Sequence, residues 1–254
     1  MKNKIVLLGF AAVLLTGTSC TSHYQLAGVE RTRVLMDKTY DNPSVPATVS
    51  FLAPYKVEVD KQMSPVVGRV ANYMYAKKPE SPLSNLLTEV LMWAGKTYQE
   101  TPDFAVYNIG GMRAALAVGD VTIGDVLDVA PFENKICFVT LTGQKVKELF
   151  QQIAAQGGQG VSKDVRLVIT KDGQLKSALV HGKEIDENAD YRIVTLDYVA
   201  QGNDHMAAFL SGKNINNPKA ESNNIRFIIM DYLRERMAAG ETVRSEMDGR
   251  ITIE

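Results

Sequence analysis

Apolar residues recur at three- and four-residue steps through Leu52, Tyr55, Val59, Met63, Val66, Val70 and Tyr73, the spacing of one helical face. Pro54 suits a first helical turn, and Pro65 behind Ser64 predicts a break followed by a fresh N-cap. Leu83, Leu86, Leu87, Val90, Leu91 and Ala94 predict a second amphipathic helix over residues 81–97. Val146, Leu149, Phe150 and Ile153 predict a third over 142–155. Short helices are expected at 124–130 and 225–237, and strands at 106–109, 136–141, 191–196 and 250–253. Residues 165–169 and 175–180 flank Asp172-Gly173, a strong hairpin signal. Helices are mixed with hairpins rather than with regular βαβ units, which predicts an α+β fold. There are no internal repeats or low-complexity runs.

The amino terminus has a different pattern. Lys2 and Lys4 precede an apolar run from Ile5 to Leu15, too short to span a bilayer as a helix. Small residues Gly17-Thr-Ser then lead to Cys20. This is similar to a bacterial lipoprotein signal, cleaved before Cys20 with lipid added to that cysteine, although Gly17 stands where a leucine is usual. The alternative is an ordinary secretory peptide with an incidental cysteine. Residues 1–19 are therefore expected to be a signal peptide and 20–50 a polar tether, with Arg33-Val-Leu-Met36 as a candidate short strand. The expected location is the bacterial cell envelope, anchored to the membrane through lipid.

The remainder is ordinary globular composition, 45% hydrophobic and 22% charged. A formal charge of −1 and the lack of any basic run give no reason to expect a nucleic-acid partner. Loss of residues 1–19 would leave 26 basic against 29 acidic residues. The second cysteine, Cys137, lies in an apolar run and reads as a buried core thiol.

The most informative stretch is Asn108-Ile-Gly-Gly-Met-Arg113, followed by Val129-Ala-Pro-Phe-Glu-Asn134. A glycine pair can take positive φ and turn its amides outward, and arginine adds a planar fork of donors. Such a turn suits an oxygen-rich anion; it also suits simple chain reversal.

Together with "GDVTIGDVLDVAPFEN", "VTLTGQKVKELF", "YRIVTLDYVAQGND" and "DGRITIE", these motifs resemble the C-terminal, substrate-recognition domain of the 5′-nucleotidases, over about residues 51–254. The resemblance implies a nucleoside or nucleoside monophosphate as ligand. Phe132 and Tyr198 would stack on the base, Tyr198 standing where the family usually has phenylalanine. Asp204 would accept the ribose hydroxyls, or else cap a short helix through Met206 to Phe209. Arg113 would hold phosphate or sugar, with Gly110 and Gly111 shaping the turn. Asn108 would meet the base or organise that turn, and Asn134 would contact the base or brace its loop. Ordinary core packing is the alternative for both rings. The family's Gly-Gly-Asp-Gly is here Gly202-Asn-Asp-His205, in which Asn203 tolerates left-handed backbone and His205 adds bulk. A further family arginine falls on Pro79, with Lys77 and Lys78 beside it.

In that family, ester cleavage belongs to two metal ions in a separate N-terminal domain. The three histidines here, His23, His181 and His205, stand in no metal-binding context. No serine elbow or Walker loop occurs. The chain is thus expected to carry no catalytic residues and no cofactor, with divalent metals only in a separate metallophosphatase partner. Two functions follow: a recognition subunit of a split 5′-nucleotidase in nucleotide catabolism, or a non-catalytic nucleoside- or nucleotide-binding surface lipoprotein.

Overall fold

The computed structural model describes residues 27–35, 38 and 45–254. The signal segment, Cys20 and His23 lie outside these residues. The chain divides into a unit ending at Phe51 and a second running from Leu52 to Glu254. In the first, residues 27–35 are exposed and without regular structure, so Arg33, Val34 and Leu35 form no strand; Met36 is outside the described residues.

Helix α1 spans Pro46–Met63, with Pro54 in its interior rather than in its first turn, and buries none of its residues. Leu52, Tyr55 and Val59 therefore do not form the buried face that their spacing suggests. After Ser64-Pro65 the chain enters strand β1 (Val66–Val70) rather than a new helix. Proline stops the helix and a valine-rich run suits a pleated, half-buried surface. Val67 and Val70 are buried, and a Cβ on Gly68 would come within 2.8 Å of the Leu233 Cβ.

Helix α2 (Pro82–Ala94) begins at a capping box between Ser81 and Ser84, with proline in the first turn. It ends at Ala94, and residues 95–98 tighten into a 3₁₀ turn. Strand β2 (Phe104–Tyr107) follows, then β3 (Gly119–Thr122), which pairs antiparallel with β1. A Thr122–Asp125 capping box starts α3 (Ile123–Val129). Strand β4 (Ile136–Thr142) runs into α4 (Gly143–Ala155), whose Val146, Leu149, Phe150 and Ile153 are buried as the spacing predicts. Short β5 (Gly160–Val161) precedes the hairpin of β6 (Val165–Ile169) and β7 (Leu175–Val180), which turns at Gly173 with φ +82°. Then come β8 (Lys183–Glu184), β9 (Asp190–Leu196), α5 (Asp197–Ala200), β10 (Lys213–Asn216), α6 (Ile225–Ala238) and β11 (Ile251–Ile253).

The central sheet has the order β10-β4-β9-β2-β5; a second is ordered β11-β6-β7-β8. Strands β4 and β9 pair antiparallel over their full length, while β2 lies parallel to β9. Helix α2 packs on β2 and β5, α6 on β1 and α2, and α4 on β4 and β7. The fold is α+β. Cys137 is buried on β4, and burial pushes its thiol pKa up to about 11, so it is a core residue.

Candidate nucleoside site

The parallel pair β2–β9 sends two chain segments out of the central sheet, and the candidate residues lie on these and on the loop before β4. Strand β2 ends at Tyr107, and Asn108 begins one 3₁₀ turn, Ile109–Gly111. Asn108 is buried. Its Nδ2 donates to Asp204 Oδ2 at 2.7 Å, while its buried Oδ1 has no partner within the protein. A carboxylate only accepts hydrogen bonds, so this contact also fixes which way the amide faces.

Neither Gly110 nor Gly111 has positive φ, which corrects the left-handed turn expected of the pair. Gly111 answers to close approach instead. A Cβ there would lie 3.1–3.2 Å from the Asn108 side-chain amide atoms. Behind the turn, the Ile109 N–H donates to Gln159 Oε1 at 2.7 Å, and Gln159 Nε2 donates to Gln156 Oε1 at 2.9 Å. Lys78 Nζ donates to the Gln156 carbonyl at 2.8 Å. Gln159 is buried in this brace and gave no sequence signal, because the Ile109 amide it holds lies 50 residues away.

Phe132 and Asn134 sit on the loop between α3 and β4. Four hydrogen bonds tie it to other elements: Arg226 Nη2 to the Pro131 carbonyl, the Ile225 N–H to the Asn134 carbonyl, the Lys135 N–H to Asp197 Oδ1, and the Asp197 N–H to the Lys135 carbonyl. Phe132 remains 47% exposed and is therefore no core residue. Tyr198, 38% exposed, projects from the first turn of α5. Its hydroxyl donates to Asp204 Oδ1 at 3.1 Å. That hydrogen bond, with the nearby negative charge, raises the Tyr198 pKa and keeps the phenol protonated.

Asp204 is thus gripped at both oxygens. It does not cap the following 3₁₀ turn, Ala207–Ser211, which has no side-chain cap. The left-handed positions in this loop are Gly202, Asp204 and His205, not Asn203, whose Nδ2 instead donates to the Tyr198 carbonyl at 2.8 Å.

Asn108, Gly110, Gly111, Phe132, Asn134, Tyr198 and Asp204 line one cavity of about 200 Å³. Arg113 is not among its lining residues; its exposed guanidinium reaches the Gly110 carbonyl at 3.4 Å. Lys78 does sense the site. Burial holds its ammonium below the usual lysine value, against an opposing pull from the Asp204 carboxylate. Among the described residues no three His, Cys, Asp or Glu side chains converge as a metal site would need.

The family model for the 5′-nucleotidase C-terminal domain matches residues 66–211, from β1 to the turn after Asp204. The chain belongs to that family. Among relatives of the 5′-nucleotidase C-terminal domain, Protein UshA of Yersinia enterocolitica is 28% identical over 163 residues, 63% of this chain and 30% of that protein. Endonuclease YhcR of Bacillus subtilis is 30% identical over 191 residues, 71% of this chain and 15% of its own length. The chain therefore spans a third or less of the curated relatives it matches. Two solved structures share the fold. The 5′-nucleotidase precursor of Thermus thermophilus aligns with a TM-score of 0.68 at 22% identity, covering 82% of this chain and 42% of that one. The NAD nucleotidase of Haemophilus influenzae aligns with a TM-score of 0.62 at 19% identity, covering 83% and 41%.

Proposed function

We propose that this chain is a nucleoside-recognition subunit, anchored in the cell envelope by lipid on Cys20, which presents nucleotides to a dimetal phosphatase on another polypeptide. The observation that carries the reading is the shared cavity. Two exposed rings, Phe132 and Tyr198, line it together with a wall of hydrogen-bond acceptors. A base stacked on such rings gains roughly 1–3 kcal/mol per contact. The Asp204 carboxylate only accepts hydrogen bonds, which a ribose diol can donate and a phosphate dianion cannot. The phosphate would point away from Asp204, toward solvent and the cations Arg113 and Lys78. A cavity of about 200 Å³ is smaller than the ~300–1,000 Å³ of common ligand clefts. It suits a base and part of its sugar rather than a whole nucleotide.

The metal ions that serve ester hydrolysis in such systems activate water and stabilise the departing oxygen. The described residues do not fit them, so no step of that chemistry is assigned to this chain. The names of several relatives, 5′-nucleotidase of Vibrio cholerae among them, agree with a nucleotide ligand.

Calorimetric titration of the mature chain with adenosine and with AMP tests the reading. Binding is expected, and the Phe132→Ala, Tyr198→Ala double variant should lose at least about tenfold in affinity, given two stacking contacts. Equal binding by the double variant would remove the aromatic clamp. Addition of the cognate phosphatase should then raise AMP hydrolysis above that of the phosphatase alone. Tight adenosine binding without stimulation would favour a binding lipoprotein, an outcome that the position of Arg113 outside the cavity lining also supports.

A further inference from the structure

One contact in the cavity joins two of its own lining residues, Tyr198 and Asp204. Asp204 is the only carboxylate among the cavity-lining residues, and both of its oxygens already accept hydrogen bonds from the protein. The two bonds differ in kind. The bond from Asn108 is short, 2.7 Å, and comes from a buried amide braced by the turn behind it. The bond from Tyr198 is longer, 3.1 Å, and comes from a half-exposed ring on a short helix at the surface. A vicinal diol binds a carboxylate best by giving one hydroxyl to each oxygen. On the Oδ1 side, a phenol occupies one of the oxygen's two acceptor positions, where a sugar hydroxyl could bind.

We propose that the Tyr198 hydroxyl is an internal stand-in for a sugar hydroxyl, latched on Asp204 until it is displaced by the ligand's own diol. This rests on the nucleoside reading and adds to it. The ring already lines the cavity with the latch closed, so displacement changes the sugar contact and leaves the stacking face in place. The latch also serves the protein before ligand arrives. Asp204 sits in a left-handed backbone conformation (φ +50°), and two hydrogen bonds hold its carboxylate facing the cavity. Affinity is lowered by whatever the latch is worth, and ligands with only one sugar hydroxyl, or none, cannot recover it in full.

Tyr198→Phe isolates the effect, because the ring stays and only the hydroxyl goes. In calorimetric titrations of the full chain in detergent, this variant should bind adenosine roughly twofold to tenfold more tightly than wild type, the range of one net hydrogen bond. Affinity for 2′,3′-dideoxyadenosine, which cannot use Asp204 in this way, should change by much less. Unchanged or weaker adenosine binding by the phenylalanine variant would overturn the latch while leaving the nucleoside reading intact. An equal gain for both ligands would overturn it too, since the hydroxyl would then act on the base and not on the diol. If neither protein binds adenosine, the nucleoside reading and the latch fall together.

Discussion

Asp204 and His205 hold φ of +50° and +56° in succession, a region that side chains with a Cβ enter at a cost of about 1–2 kcal/mol each. For Asp204 the cost is offset, since its carboxylate gains Asn108 and Tyr198 as partners. The exposed His205 has no such return. Replacing His205 by glycine should therefore stabilise the fold by about 0.5–1 kcal/mol, the strain relieved being partly cancelled by the greater freedom of the unfolded chain. A urea denaturation midpoint that rises, at constant slope, is the expected result. A lower midpoint would mean that the imidazole braces the loop. Much at this scale was legible in advance, because Phe132, Tyr198, Asn108 and Asp204 carry recognisable chemistry at recognisable places. The bond between Tyr198 and Asp204 was not. Separated by a loop, they obey no helical or strand periodicity, and only the folded path of residues 202–205 brings them together.

Strand β9 holds its neighbours through one guanidinium. Arg192 Nε and Nη2 donate to the two Glu100 oxygens at 2.8 and 2.5 Å, and Nη1 reaches Thr140 on β4 and the Asn214 carbonyl on β10. Both partners of the ion pair are more than 80% buried. The hydrogen bonds from Arg192 outweigh the effect of burial and hold the Glu100 carboxyl below the ordinary glutamate range. A carboxyl depressed in the folded state favours folding above its unfolded pKa, and this contribution is lost as pH falls through the folded value. Wild type should accordingly lose stability on acidification below about pH 4.5, where an ordinary glutamate protonates, more steeply than Glu100→Gln does. Parallel urea midpoints for the two proteins from neutral to strongly acidic pH would contradict this. At neutral pH, Arg192→Met should cost on the order of 2–3 kcal/mol, somewhat less than loss of one partner from a fully buried pair. The strands themselves were readable, β6–β7 from Asp172-Gly173 and β9 from its alternation. Helix α1 shows the limit of such reading. The spacing of Leu52, Tyr55 and Val59 is helical and the helix exists, but periodicity reports a stripe and cannot say whether anything covers it. Beyond Pro65 the same spacing ran on by chance into a valine strand.

The α+β class was legible because it depends on local signals, whereas the sheet order was not. The parallel neighbours β2 and β9 are almost ninety residues apart, with several helices and strands between them in the chain. Nor did any pattern announce Arg250, which joins the two larger sheets. It is buried just before β11, which pairs parallel with β6. Its Nη1 donates to Glu89 at 2.8 Å and to the Val161 carbonyl at 3.0 Å, linking the second sheet to α2 and to β5 of the first. Truncation to alanine would leave the partly buried Glu89 with the Lys163 N–H but no charged partner, and the Val161 carbonyl with the Thr88 hydroxyl alone. A loss of about 3 kcal/mol is expected, read as a lower urea midpoint. None of these partners lines the candidate cavity. Adenosine affinity, measured in the absence of denaturant where the variant is still folded, should therefore match wild type. A matched affinity would mean that the framework and the site are energetically separable. A fall in both would mean that the register of β11 is transmitted through α2 and β5 to β2 and the Asn108 turn, so that docking of the terminal strand itself sets the shape of the cavity.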